Sequence, residues 1–201
     1  WKDLVKLEGE GYLQEVLAQR RGAILLSGHR FGYEVLLAPV LSLCGYRVHR
    51  TGRGADSTRR VARWGERGEL GWKYINYGDD PWSRLRALKQ MQRALSQNEP
   101  VHASIRTHRA GPAGAGIELF GRRCWLDPNV LKVIELLQAP VLPAFCYPNE
   151  VGEISIKIYP PLRPETGEIV GSFGSLYARH LKSRPEASRA WRRVRLGWEA
   201  W

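Results

Sequence analysis

The stretch "AILLSGHRFGYEVLLAPVLSLCGYRVHR", residues 23–50, decides the fold. Residues 23–26 form a short apolar run, the length of a buried strand, and Ser27-Gly28 ends it. Residues 31–43 then read as an apolar helix that closes near Gly45. Pro39 falls inside that helix and predicts a kink or an early stop. Residues 46–49 read as a second strand. Two strands joined through a helix are the repeating unit of a parallel sheet.

The same alternation extends outward. Upstream, Leu4, Val5, Leu7, Tyr12, Leu13, Val16 and Leu17 give residues 2–20 a roughly helical spacing, weakened by Gly9 and Gly11. Downstream, "RTGRGADSTRR" is a basic loop in which Asp56 or Ser57 would cap a short helix reaching about Trp64. Residues 73–77 read as a third strand. Asp80 and Pro81 then cap and start the helix "WSRLRALKQMQRALSQ", with Leu85, Leu88, Met91 and Leu95 on one stripe. Residues 101–105 read as a fourth strand, followed by the basic loop "RTHRAGPAGAG". Short strands at 117–120 and 123–126 flank Gly121, and a helix capped by Asp127 covers 128–137. "APVLPAFCY" and "EISIKIYP" are two further strands, the second strictly alternating. Residues 171–201 form a basic helical tail broken at Pro185. The expectation is an α/β protein with a mostly parallel central sheet flanked by helices, in a single domain over residues 1–201, with no repeat or linker.

Composition narrows the function classes. The chain has 201 residues, 43% of them hydrophobic and 25% charged, so it can bury a sizeable core. Its 31 Lys and Arg against 20 Asp and Glu give a net charge of +11, which favours a polyanionic partner: nucleic acid, an anionic membrane or a phosphorylated substrate. Zinc-knuckle, helix-turn-helix and RNP-like signatures are absent, which argues against nucleic acid. The three cysteines, Cys44, Cys124 and Cys146, are widely spaced and form no CxxC pair, which suits reduced, buried thiols. No metal-ligand spacing appears. The longest apolar runs are core-sized, well short of a membrane span. The sequence begins at Trp1 and its single methionine is Met91, so an N-terminal segment, with a membrane anchor among the possibilities, is expected to precede it.

His29 and Glu34 are the candidate chemistry. His29 follows a strand's C-terminal end and Glu34 opens the next helix, where α/β sheets place their ligand sites. On one continuous helix the two side chains would point about 140° apart, so they can pair only if His29 lies in the turn before the helix. Gly28 and Gly32 allow such a turn. A carboxylate holding one imidazole nitrogen leaves the other free to accept a proton. The competing reading is a helix start with a solvated Glu34 and a structural His29. The histidines His49, His102 and His180 have no partner pattern and read as structural.

"GAILLSGHRFGYEVLLAPVLSLCGYRVHRTGR" resembles the lysophospholipid acyltransferase superfamily, in particular its lipid A biosynthesis branch of late, lauroyl/myristoyl-type acyltransferases. In that family a His-x4-Asp/Glu motif follows a buried strand. "MQRALSQNEPVHASI", "GIELFGRRCWLDPNVLKVIELLQAPVLPAFCY", "EISIKIYPPL" and "RPEASRAWRRVRL" resemble further family segments in the same order, over most of residues 22–195. One stretch departs: the family commonly has an aspartate-containing "PDQD"-like run where this chain has "SIRTHRAG", with Arg106, His108 and Arg109 and no acid.

The resemblance implies a glycerolipid-acyltransferase-like fold. It also implies transfer of a fatty acyl group from an acyl thioester, on an acyl carrier protein or coenzyme A, to a hydroxyl of a membrane glycolipid such as a lipid A precursor. No cofactor beyond that co-substrate is implied. His29 would be the general base and Glu34 its orienting partner. Arg50, after the second strand, resembles an arginine the family places close to the dyad, for the oxyanion or a phosphate; Arg53 is the second choice. Arg106, with His108 and Arg109, would bind phosphate or remain a solvated loop. The departure at 104–111 leaves the acceptor open, whether a lysophospholipid, another glycolipid or a secondary metabolite. The expected setting is the cytoplasmic face of a bacterial inner membrane, with an anionic bilayer as partner. A non-catalytic basic module is the alternative from another class.

Overall fold

The computed structural model describes residues 5–28, 33–53, 71–108, 115–119, 121–148 and 153–185. Among these, a seven-stranded sheet carries the architecture, in the order β1-β10-β9-β2-β5-β3-β4. Its strands are β1 (Val5–Glu8), β2 (Ala23–Gly28), β3 (His49–Arg53), β4 (Lys73–Tyr77), β5 (Pro100–Ile105), β9 (Val141–Pro148) and β10 (Ile154–Ile158). Only the β9–β10 pairing is antiparallel; the other five are parallel. A second sheet of three strands, β6 (Thr107–His108), β7 (Gly116–Leu119) and β8 (Arg122–Leu126), is antiparallel and forms a hairpin around Gly121. The expected α/β domain with a mostly parallel sheet is what the chain forms.

Helices cover both faces of the large sheet, as parallel strands buried on two sides require. Helices α1 (Glu10–Ala18) and α2 (Leu37–Leu43) close one face, where Leu13, Val16, Leu37 and Leu41 pack on Leu25, Leu142 and Ile156. Helices α3 (Pro81–Ser96), α4 (Pro128–Leu137) and α5 (Gly174–Ser183) close the other with the small sheet. There Met91, Leu131, Ile134 and Tyr177 pack on Ile24, Leu26, Val101 and Phe145. Successive residues of β2 and β5 therefore divide between two cores.

Local chemistry sets the helix starts. Asp80 accepts a hydrogen bond from the Ser83 amide at 2.8 Å, and Asp127 accepts one from the Asn129 amide at 2.9 Å. Both caps are followed by proline at the first helical position, as the sequence indicates.

Four expectations are corrected. Residues 5–8 are not part of a helix but a strand at the edge of the large sheet. Gly9 separates it from α1 with φ of 76°, and a Cβ there would fall 2.0 Å from the Ile158 carbonyl oxygen. Pro39 neither kinks nor stops α2. The helix begins at Leu37 after a 3-10 turn at Glu34–Leu36, so Pro39 falls in its first turn, where an amide hydrogen is not needed. The second strand lies at His49–Arg53 rather than 46–49, because its pairing with β5 starts at His49 opposite Val101. The buried stripe of α3 is Ser83, Ala87, Met91, Ala94 and Leu95, and Leu85 is exposed. The helix proposed after Asp56 and the tail beyond residue 185 lie outside the described residues. Before that limit the tail is helical, with a π-helical turn at Ile169–Phe173 leading into α5.

Candidate active site

Strands β2, β3, β4 and β5 run parallel, so their C-terminal ends form one edge of the sheet. Glu34 lies at that edge. The Tyr33 amide donates to the Cys146 carbonyl on β9 at 2.8 Å, which ties the start of the 3-10 turn to the sheet. The carboxylate of Glu34 is thereby brought inside the protein, with 5% of the residue exposed. His29, its proposed partner, lies outside the described residues.

Two side chains from the sheet meet the Glu34 carboxylate. The Ser104 hydroxyl of β5 donates to Oε2 at 2.9 Å, and the Arg50 guanidinium of β3 approaches the same oxygen with Nη2 at 3.5 Å. Arg50 and Ser104 reach Glu34 because register places them on one side. Arg50 lies opposite His102, and Ser27 opposite Ser104. These positions face α2, the same side as Leu25 and Cys146. Arg50 is itself 5% exposed, and its Nε and Nη1 have no hydrogen-bond partner among the described residues. A buried guanidinium with idle donors is costly unless something accepts from them.

A second polar layer lies beneath. His102 is fully buried and its Nε2 is 2.8 Å from Ser27 Oγ. Burial, and then the Arg50 charge, push its pKa down to about 3, so the ring is neutral. Thr51 Oγ1 donates to the His102 carbonyl at 3.1 Å. Cys146 is also close: burial, helped by the Glu34 charge, raises its thiol to about 12. A protonated, buried thiol is a poor acyl nucleophile.

Gly28 completes the edge. A Cβ on it would lie 2.3 Å from Tyr177 Cε2, so glycine is what lets α5 close over the end of β2. The Tyr177 hydroxyl is raised by burial, then by Cys124 and Glu34.

The other predicted residues are placed apart from Glu34. Arg53 is half exposed and pairs with Asp79 at 3.0 Å. It follows Arg50 by three residues, so it points to the opposite face of the sheet. Arg106 is exposed just beyond β5 and, with Arg53, lies near the Tyr77 hydroxyl. His108 approaches Asp127 at 3.5 Å, and Arg109 lies outside the described residues. The structure thus joins Glu34 to Arg50 and adds Ser104 and Ser27, which sequence reasoning passed over, and His102, which it read as structural. Their signal was polar residues at alternate positions, His102 and Ser104, in an otherwise apolar strand. Among the described residues no group of three His, Cys, Asp or Glu is arranged to hold a metal ion.

An acid and a half-satisfied cation buried together at the C-terminal edge can orient a base and stabilise an anion. Compared with known protein families, the sequence matches bacterial lipid A biosynthesis acyltransferase over residues 2–186. The chain belongs to this family. No curated protein matches the chain. Membership in the lipid A biosynthesis acyltransferases indicates acyl transfer onto a lipid acceptor. No helix among the described residues is long and apolar enough to cross a membrane.

Proposed function

We propose that this acyltransferase moves a fatty acyl group from an acyl thioester, on an acyl carrier protein or coenzyme A, to a hydroxyl of a membrane glycolipid such as a lipid A precursor. His29 removes the acceptor's proton as its oxygen attacks the thioester carbonyl. Glu34 orients His29 and stabilises the imidazolium. The tetrahedral intermediate then expels the thiolate, which takes the proton back from His29. Arg50 supplies donors for the oxyanion. The acyl group passes directly to the acceptor, without an acyl-enzyme, in keeping with the raised thiol of Cys146.

The observation that carries this reading is the buried Glu34–Arg50 pair, with Arg50 Nε and Nη1 unpartnered among the described residues. A carboxylate already held by Ser104 keeps a fixed orientation, and donors fixed in a water-poor site stabilise developing charge more than solvated ones. The exposed Arg53 and Arg106 at the same edge are suited to a phosphate of the donor or acceptor. The deciding experiment is acyl transfer by His29→Ala with its fold verified by circular dichroism. Transfer is expected to be abolished; wild-type rates would sink the assignment.

The arginine-rich "SIRTHRAG" segment favours one specific variation, the same chemistry on a different acceptor. Lipid mass spectrometry on a deletion strain separates the two: an unchanged lipid A would move the assignment to another lipid.

A further inference from the structure

We propose that the N-terminal end of α3 is the place at which this enzyme docks to an anionic bilayer, with Trp82 and Leu85 entering the boundary between headgroups and acyl chains. The proposal rests on the membrane-lipid acceptor of the preceding section and names where that membrane would meet the protein.

Trp82 is 72% exposed and Leu85 42%, the most exposed large apolar pair on any one helix described. At about 100° per residue, Trp82, Leu85, Arg86, Lys89 and Arg93 fall within an arc of about 100° on the side opposite Ala87 and Met91. Residues 81–96 carry Arg84, Arg86, Lys89 and Arg93 and no acid. Two exposed acids stand at its start: Asp79, matched by Arg53 at 3.0 Å and Arg84 at 4.0 Å, and the N-cap Asp80, which accepts from the Ser83 amide and lies within the field of Arg86. The stripe is therefore a tryptophan-led apolar tip followed by four cations that outnumber the two acids at its start, the composition that interfacial helices use on anionic lipid.

Topology puts the tip at the same edge of the sheet as the active site, on its opposite face. Helix α3 follows β4, so its first turn lies at the C-terminal edge of the parallel strands, where Glu34 lies. Tyr33, 43% exposed, is at the same edge. With a rise of about 1.5 Å per residue, Arg86 is about 6 Å behind Trp82, Lys89 about 10 Å and Arg93 about 16 Å. An apolar tip entering by about 5–10 Å would hold Arg86 and Lys89 at the phosphates and leave Arg93 outside contact. An acidic carrier protein would need the cations but not the immersed tryptophan, and the gradient along the helix favours the bilayer.

The test is co-sedimentation of the full chain with phosphatidylglycerol–phosphatidylcholine vesicles, against phosphatidylcholine alone. Trp82→Ala with Leu85→Ala is expected to lower partitioning at least about tenfold, Arg86→Glu and Lys89→Glu to lower it comparably, and Arg93→Glu by less than about twofold. Wild-type partitioning by the double alanine variant, or an Arg93→Glu loss as large as that of Arg86→Glu, would overturn the proposal. So would binding of a purified acidic carrier protein that the charge reversals abolish while vesicle binding stays intact. Acyl transfer to acceptor dispersed in detergent separates the two readings. The double alanine variant should keep the wild-type rate there, whereas a wild-type protein inactive in that assay would remove the proposed activity and leave the vesicle result standing.

Discussion

His49 and Arg50 are neighbours on β3, and the two clusters they join are opposites. His49 points towards α3 and its Nε2 lies 2.5 Å from Glu99 Oε2, while Arg47 approaches the other Glu99 oxygen at 3.6 Å. That cluster, at the N-terminal edge of the sheet, closes on itself: both oxygens of its acid are met. Arg50 points the other way and meets Glu34 at 3.5 Å with one nitrogen, leaving two without partners among the described residues. A buried cluster that satisfies its own groups serves stability. One that leaves donors idle is arranged for something that arrives later.

The largest test of that contrast is Arg50→Ala. Loss of oxyanion donors predicts a fall of about 10²–10³ in kcat, with partial recovery in Arg50→Lys, which cannot offer the planar fork. A change of less than about threefold would erase the distinction between the clusters. Glu99→Ala should do the reverse. Removing the acid leaves the buried His49 without its partner, Arg47 being solvated, and is expected to cost about 1–3 kcal/mol in denaturant unfolding, with transfer per folded molecule unchanged. Lost activity at full stability would instead make the His49 cluster functional.

The pH dependence of stability sharpens the comparison next. His102, under Arg50, has a native pKa of about 3 against an ordinary 6.5, so the unfolded chain takes up a proton that the native one refuses. Stability is then fully present above about pH 6.5 and falls as pH drops towards 3, by about 2 kcal/mol between pH 7 and 5 for this one group. The His102→Gln variant should lose about 2 kcal/mol less than the wild type over that interval in urea titrations. Equal losses would place the imidazole in a wetter setting. The smallest effect is expected from Ser104→Ala, about tenfold in kcat with KM unchanged, from one hydrogen bond to a charged acceptor worth about 1.5 kcal/mol. Rescue by Ser104→Thr would show that the hydroxyl, rather than the volume, holds Glu34.

Much of this was legible from local chemistry. The alternation of apolar runs, the Asp-Pro starts of α3 and α4 and the turn at Gly121 each depend on residues within one helical turn of one another. The errors arose where partners were distant. Residues 5–8 spaced like a helix became a strand because β10 offered them an edge, and β3 shifted by three residues because its pairing begins opposite Val101. The site divides in the same way. Glu34 stood out through its place after β2, and Arg50 through a family pattern. Ser104 and Ser27 gave no sign beyond the alternation of their strands.

By itself the sequence determined the α/β class, most of the strands and helices and the family, since these follow from short-range periodicity, caps and ordered motifs. Only the tertiary structure decided that Arg50 rather than Arg53 meets Glu34, and that Ser104 holds the carboxylate above a buried His102–Ser27 pair. The reason is register. Which side chains share a face depends on how β3, β5 and β2 align, and a shift of one residue would have turned Arg50 into the opposite core.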